Sequence, residues 1–233
     1  MSTKRKLRSA TTVVPEIAPN TKSSPSKKSK VAKKKGTDTT VTESRSEVAT
    51  ESKDDGPHYW LFKAEPETRL VGGIDVRFSI DDLKRDGRGS WDGVRNYTAR
   101  NCMQSMKVGD LGFFYHSNCK MPGIVGVLKV VKRAYPDYTA FDTKHPYYDP
   151  KSDKDKPKWY MVDVEYVCHT KRLIGLHELK TLLAKDGAKS PLNSMALLRQ
   201  GRLSVSPVKQ VEWDYILGLS EQPDPATSDD YND

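Results

Sequence analysis

No Phe, Trp or Tyr precedes Tyr59, and the segment before it is rich in Ser, Thr and Lys. Such a segment cannot bury enough apolar surface to offset the entropy lost on ordering the chain. We therefore predict a disordered arm over residues 1–55, a folded domain over residues 56–221 and a flexible, acidic tail over residues 222–233. Any stable fold has to be built by the middle segment.

The positive charge of the chain is concentrated in the arm. The whole chain has a formal net charge of +8, and residues 1–55 hold 13 Lys and Arg against 7 Asp and Glu, a net of +6. The remaining residues hold 26 against 24, a net of +2, so the predicted domain is nearly neutral. The basic residues of the arm form two runs: Lys4, Arg5, Lys6 and Arg8, then Lys27, Lys28, Lys30, Lys33, Lys34 and Lys35.

Such basic runs are typical of nuclear import signals, and they also contact nucleic-acid phosphates without sequence preference. We therefore predict a nuclear protein with a nucleic-acid partner. A solvated tail without a partner and a mitochondrial presequence are the alternatives. The arm lacks the apolar core of a secretory signal peptide, and no run of about 18 apolar residues is present, so we expect no membrane-spanning helix.

Cys102, Cys119 and Cys168 make an odd number of cysteines without any C-x-x-C spacing. We expect unpaired thiols in a reducing compartment. The five His and three Cys never fall at the spacing of metal ligands, so we predict no metal and no cofactor. A nucleophilic cysteine with His116 as its base is an alternative, but no neighbouring sequence motif indicates one.

Short strands and short helices are predicted along the middle segment. Apolar alternation indicates strands over residues 58–63, 111–115, 124–131, 159–167 and 203–206. Ser79 and Asp82 have the spacing of a helix capping box, and Asn96 or Thr98 can cap a second helix that runs to Met106. The sum is an α+β fold with a small, curved, mixed sheet that closes, fully or partly, into a barrel.

The remaining helices and loops are predicted from the same signals. Residues 176–183 form a short amphipathic helix, Gly72–Gly73 lie in a flexible loop, and residues 135–155 form a long loop with three prolines. A last helix is predicted to begin at Ser206–Pro207, because Ser is a good N-cap and Pro is favoured at the first helical position. Its buried stripe would be Val208, Val211, Tyr215 and Leu219.

Two clusters carry more chemistry than a core requires. Residues 91–97 (WDGVRNY) combine two aromatic rings with an acid, an Arg and an amide, and residues 113–118 (FFYHSN) lead from an apolar strand into His, Ser and Asn. A flat heterocycle such as a nucleobase suits these side chains, since rings stack and polar groups bond the ring edge. Ordinary core aromatics followed by turn residues are the alternative.

Sequence motifs favour a binding module over an enzyme. The chain has no glycine-rich phosphate loop, no G-x-S-x-G and no H-E-x-x-H. The alternative from another class is a hydrolase of a modified base or nucleotide, with His116 as base and Asp92 or Glu65 as its partner.

From Tyr59 to Leu219 the chain resembles the EVE family of PUA-like domains. The resemblance is carried by several segments in order: 60–66 (WLFKAEP), 79–87, 91–101 (WDGVRNYTARN), 106–118, 122–127, 134–142, 147–153, 158–167 and 201–208 (GRLSVSPV). It implies a PUA-like barrel flanked by short helices, related to YTH domains that hold a methylated RNA base. It also implies a reader of a modified nucleobase, with 5-methyl- or 5-hydroxymethylcytosine in DNA expected and modified RNA as the alternative.

The resemblance also implies which residues line the base pocket. They are Lys63, Trp91, Val94, Arg95, Asn96, Tyr97, Tyr115, His116, Ser117, Asn118 and Ser204. We expect Trp91 to stack on the base, Asn96 and the residues 116–118 to bond its edge, and Arg95 to hold a flanking phosphate. Ala64 stands where the family commonly has Ser, so a hydroxyl is missing there. We expect a monomer without a membrane partner.

Overall fold

The computed structural model describes residues 58–224. The two basic runs of the arm, the domain boundary at residue 55 and most of the predicted acidic tail lie outside these residues. Within residues 58–224, no helix is long and apolar enough to cross a membrane.

Six strands form one mixed sheet with the order β4-β7-β6-β5-β1-β8. The strands are β1 (Tyr59–Ala64), β4 (Arg88–Trp91), β5 (Leu111–His116), β6 (Gly123–Pro136), β7 (Tyr160–Gly175) and β8 (Val205–Val208). Strands β1 and β5 run parallel, and the other neighbours are antiparallel. The fold class is therefore the predicted α+β, PUA-like arrangement around a curved sheet.

The long hairpin of β6 and β7 extends beyond the predicted strands, which stop at residues 131 and 167. Its register shifts at four points along β6, which is the behaviour of a bulged and strongly twisted ribbon. Polar side chains near the end of β6 and near the end of β7 interrupt the apolar alternation of the sequence. The main chains nevertheless pair as far as Pro136 in β6 and Gly175 in β7. Strand β4 was not predicted, because Gly87 and Gly89 indicate only the end of the preceding helix.

Two small strands, β2 (Leu70–Val71) and β3 (Ile74–Asp75), form a separate hairpin after β1. Gly72 and Gly73 make its two-residue turn with φ of 56° and 82°. Positive φ at both turn positions is the type I′ pattern that matches strand twist. The glycine pair therefore belongs to an ordered hairpin and not to the flexible loop that we predicted.

In the described part of the chain, residues 58–224, five α-helices accompany the sheet: α1 (Ile80–Asp86), α2 (Tyr97–Ser105), α3 (Leu176–Asp186), α4 (Ala196–Arg199) and α5 (Gln210–Ser220). The capping box of α1 is confirmed, since Asp82 N donates to Ser79 Oγ and Ser79 N donates to Asp82 Oδ2. Helix α2 contacts β7, β6 and β8, and so packs across the gap between the two edges of the sheet.

The predicted start of the last helix is wrong. Ser206 and Pro207 lie in β8, where Pro207 is opposite Trp60, and α5 begins only at Gln210. Pro is tolerated there because β8 is an edge strand. The later start changes the buried stripe, so that Val211 is exposed while Trp213 and Ile216 are buried.

The two faces of the sheet carry two separate cores. The inner face, toward α1 and α2, holds Trp60, Phe62, Trp91, Phe114 and Met103. The outer face, toward α3 and α5, holds Leu61, Phe113, Tyr115, Leu179, Trp213 and Ile216. The alternation of side chains along β1 and β5 produces this division. Gly126 allows α1 to approach the sheet, since a Cβ there would lie 2.1 Å from Ile80 Cδ1.

Candidate nucleic-acid interface

The ends of β1 and β5 and the residues before β8 meet at one end of the sheet. Lys63 is opposite Tyr115 and Ala64 is opposite His116. Lys63 N donates to Ser204 O at 2.9 Å, and Ser117 N donates to Ala64 O at 2.8 Å. We call these residues, Lys63, Ala64, His116, Ser117 and Ser204, the rim.

A cleft of about 390 Å³ lies beside the rim. It is lined by Asn96, Thr98, Arg199, Gln200, Gly201, Arg202 and Leu203. Lys63 joins the cleft to the rim, because its Nζ donates to Gly201 O at 2.8 Å. Burial lowers the pKa of this ammonium group. The lining contains two arginines and no acidic residue, so its charge suits an anionic ligand.

The two arginines of the cleft differ in their partners. Arg199 donates from Nε to Asn193 O at 2.6 Å and from Nη2 to Asn193 Oδ1 at 3.0 Å, which fixes its position. Arg202 is exposed, and its guanidinium makes no hydrogen bond or ion pair with any residue from 58 to 224. Arg202 is therefore a cation that a phosphate can bind without breaking an existing bond.

Asn96 lines the cleft and also caps α2. Its Oδ1 accepts a hydrogen bond from Ala99 N at 3.1 Å, as predicted for an N-cap. This bond orients the side chain and leaves the two amide hydrogens for a ligand. Tyr97 lies outside the cleft lining, because its ring stacks on Trp159 with centroids 4.9 Å apart and has Arg100 4.8 Å away. Its exposed fraction is 55%.

Trp91 and Val94 belong to the core beneath the site. Trp91 is 7% exposed, and its indole packs against Phe62, Phe114 and Phe78 with centroids 5.0, 5.5 and 6.0 Å away. Neither residue lines the cleft. Stacking of a base on Trp91 stays a prediction, and it requires one of these rings to move.

Arg95 does not have the free guanidinium that a phosphate contact needs. Its five N–H groups all donate to protein acceptors, namely Tyr147 O twice, Val94 O, Asp137 Oδ2 and Thr139 Oγ1. The predicted phosphate role is therefore corrected. Arg95 instead ties the entry of α2 to the loop that follows β6.

Tyr115 points away from the face that holds Trp91. It is buried in the outer core, where burial raises the pKa of its hydroxyl to about 12. Lys63 Nζ lies 5.6 Å from its ring centroid on the same face. The predicted pocket is thus divided by the sheet, and Tyr115 is corrected to a core residue that packs below Lys63.

His116 is held by the helix beside it. Its Nε2 accepts a hydrogen bond from Ile80 N at 3.2 Å, and its ring packs edge-on against Phe114. Burial lowers the pKa of His116, although nearby Asp81 opposes this effect. The imidazole is therefore neutral at pH 7. Because Nε2 accepts the bond from Ile80 N, the ring proton is on Nδ1.

Ser117 and Asn118 shape the turn after β5. Ser117 Oγ donates to Ala64 O at 3.1 Å, and Asn118 has a φ of 52° with its Nδ2 3.5 Å from Glu65 Oε2. Ala64 itself contributes its carbonyl to this turn. The polar groups that were predicted to bond the edge of a base form hydrogen bonds within this turn instead.

Most of the cleft lining, namely Thr98 and residues 199–203, was not predicted as part of a site. Two arginines that flank Gln-Gly directly before a strand, without an acid nearby, were the available signal. Within residues 58–224, no group of three or more His, Cys, Asp or Glu side chains could hold a metal ion.

The fold and the site define a PUA-like α+β domain with a cationic cleft at one end of its six-stranded sheet. Residues 58–219 match the family model of the EVE domain. The chain therefore belongs to the EVE family. It is 49% identical over 209 residues to thymocyte nuclear protein 1 of the mouse, which covers 87% of this chain and 92% of the mouse protein.

Solved structures agree with this assignment. Human THYN1 protein in complex with 5-methylcytosine containing DNA is 51% identical, with a TM-score of 0.70 over 72% of this chain and 99% of that chain. A hypothetical protein from Leishmania major is 47% identical, with a TM-score of 0.63 over 72% of this chain and 96% of that chain.

Proposed function

We propose that this protein is a nuclear reader of a modified cytosine in DNA and that the cleft takes the base. The observation that carries the proposal is a cationic cleft beside the rim of a domain whose human relative was solved with 5-methylcytosine containing DNA. The cleft has a volume of about 390 Å³ and is open to solvent, so a nucleotide can reach it from outside.

Each group of the cleft has a chemical role in this proposal. The amide hydrogens of Asn96 donate to the ring acceptors of cytosine. Arg202 pairs with the phosphate of the bound nucleotide, and Arg199 adds positive charge on the same wall. The ammonium group of Lys63 can donate further hydrogen bonds to the bound DNA strand, because only one of its N–H groups is used by Gly201 O.

The groups that a hydrolase would use as its base or its nucleophile are unsuited to catalysis here. His116 Nε2, the nitrogen that would act as a base, already accepts the Ile80 amide. Burial raises the pKa values of the Cys102 and Cys119 thiols, so both are poor nucleophiles at neutral pH. We infer a binding protein and not an enzyme.

The experiment is a fluorescence-anisotropy titration of the full chain at fixed salt. The probes are matched oligonucleotides with cytosine, 5-methylcytosine or 5-hydroxymethylcytosine, in single and double strands and as RNA. We expect a preference of about tenfold, or 1.4 kcal/mol, for one modified cytosine in DNA. Equal affinity for all bases would overturn the proposal, and a preference confined to RNA would make the protein an RNA reader.

We also propose that the basic runs of the arm direct the protein to the nucleus and add phosphate contacts. Changing the lysines at positions 27–35 to Gln tests this role. Nuclear accumulation of a fluorescent fusion should fall, while the preference for the modified base should not change.

Sedimentation of the full chain tests the expected monomer.

A further inference from the structure

The β2–β3 hairpin projects from the domain with an apolar tip. Leu70 and Ile74 are 66% and 38% exposed, and residues 70–74 (LVGGI) contain no charge. A Cβ added at Gly72 or Gly73 would meet nothing within 4 Å. The space beside the two turn glycines is therefore open.

The hairpin is anchored at the same end of the sheet as the cleft. Residues 65–69 connect it to Lys63 and Ala64 of the rim, and Phe78 N donates to Glu65 O at 2.8 Å to close its base. The loop after β5 joins it, since Lys120 N donates to Glu67 Oε1 at 3.3 Å. Lys63 in turn contacts Gly201 of the cleft. Hairpin and cleft thus flank one rim.

The base of the hairpin is stiff and its charges are paired. Val76 N donates to Arg69 O at 2.9 Å, and Arg69 N donates to Asp75 Oδ1 at 3.1 Å. Arg69 pairs with Glu65, and Arg77 pairs with Asp75. These pairs reduce repulsion between the acidic groups and nearby phosphates, and the side chains of residues 70–74 are apolar.

We propose that the β2–β3 hairpin is a wedge that enters the base stack of duplex DNA where the modified cytosine leaves it. The inference rests on the proposed function, because a base can reach the cleft from a duplex only by leaving the stack. Extrusion costs a few kcal/mol, and apolar side chains such as Leu and Ile inserted between base steps offset part of that cost. The apolar side chains of the tip suit stacked bases and carry no charge that could pair with phosphates.

The test compares duplex and single-stranded DNA with the full chain and its Leu70→Ala/Ile74→Ala variant. Both probes carry one 5-methylcytosine. The variant should bind the duplex about tenfold more weakly. It should bind the single strand as the parent does, because there is no base stack to enter.

Val108→Ala is the matched control. Val108 is 59% exposed and lies in the turn before β5, at the opposite end of that strand from the rim. Its truncation removes exposed apolar surface away from the rim, so it should alter neither affinity.

A second readout follows the extrusion itself. The probe is a duplex with 2-aminopurine next to the 5-methylcytosine, whose fluorescence rises when its neighbour unstacks. The parent and Val108→Ala should give the rise at saturation, and Leu70→Ala/Ile74→Ala should give a much smaller one.

The outcomes separate the wedge from the proposed function. If the parent prefers the methylated single strand but the double variant keeps duplex affinity and fluorescence, the wedge is overturned, and the tip faces another partner such as a protein. If the double variant loses affinity for both forms equally, the wedge is also overturned. A parent that binds methylated and unmethylated single strands equally would overturn the proposed function and the wedge with it.

Discussion

At the scale of single residues, Asp137 is a fully buried carboxylate that holds the entry of α2 in place. It accepts hydrogen bonds from Gly93 N at 2.9 Å, from Arg95 Nη1 at 2.7 Å and from both the N and the Oγ1 of Thr139. Burial acts to raise the pKa of Asp137, but the bonds from Thr139 and Arg95 outweigh it, so the pKa lies below its usual 3.8.

Asp137→Asn should therefore destabilise the protein by about 3 kcal/mol at pH 7, because it leaves the partly buried Arg95 without its counter-ion. Since the folded pKa is depressed, the carboxylate contributes its full stability above pH 3.8 and loses it as the pH falls further. Urea unfolding at pH 7 and at about pH 3 should show the difference between parent and variant shrinking in acid. Asp86→Asn, in an exposed pair with Arg85, is the control and should cost less than about 1 kcal/mol.

His116 gives a second pH dependence in a different range. Its pKa is lowered by burial, so the folded state favours the neutral ring that accepts the Ile80 amide. The unfolded chain takes up the proton first, and stability should decrease as the pH falls below 6.5. His116→Gln retains an acceptor and does not titrate, so its melting temperature should fall less between pH 7 and about pH 5.5.

An unchanged melting profile in His116→Gln would contradict the bond to Ile80. His177→Gln, at an exposed position of α3, should behave as the parent does.

The chemistry of Arg95 shows why residue roles were only partly predictable. Its type and its position before a helix suggested a phosphate ligand, but its acceptors Asp137 and Tyr147 are 42 and 52 residues away. Nothing local indicates such long-range partners. Tyr115 was misplaced for another reason. The alternation of side chains along β5 puts it on the opposite face of the sheet from Phe114 and His116.

At the scale of secondary-structure elements, the N-terminus of α2 combines a cap and a ligand group in Asn96. Asn96→Ser should keep the cap, with stability within about 0.5 kcal/mol of the parent, but remove the amide donors from the cleft. The affinity for DNA that carries the modified cytosine should fall about tenfold, because ring acceptors of the base are left unpaired.

Asn96→Ala separates the two roles of this element. It should lose the same affinity and also about 1 kcal/mol of stability. Thermal unfolding and anisotropy measured on both variants provide the check. A Ser variant with the parent's affinity for the modified oligonucleotide would exclude Asn96 from the base edge.

Elements defined by neighbouring residues were predicted well, and elements defined by pairing were not. The capping residues Ser79 and Asn96 act within three residues, so α1 and α2 were placed correctly. Strand β8 depends on its pairing with β1, and the Ser206–Pro207 signal for a helix start was therefore misleading. The cleft needs α2 and residues 199–203 together, and no local pattern predicts that contact.

At the scale of the whole molecule, electrostatic attraction should be separable from base preference. Arg202→Gln should reduce the slope of log K against log salt by about 0.7–0.9, as expected for the loss of one phosphate contact. The ratio of affinities for modified and unmodified cytosine should stay constant. Lys180→Gln, on α3 at the outer face, removes the same charge and should leave the slope unchanged.

The division of the sheet into two faces has a consequence for tolerance to substitution. Trp213 of α5 stacks on Phe113 with centroids 4.1 Å apart and on Tyr59 at 4.4 Å, all on the face away from the cleft. Loss of such a residue lowers the number of folded molecules in the cell, and each surviving molecule keeps its choice of base. Substitutions of exposed cleft residues such as Arg202 have the opposite effect, because they weaken DNA binding while the protein level stays constant. Inherited variants of this chain should therefore fall into two groups, and protein abundance alone should distinguish them.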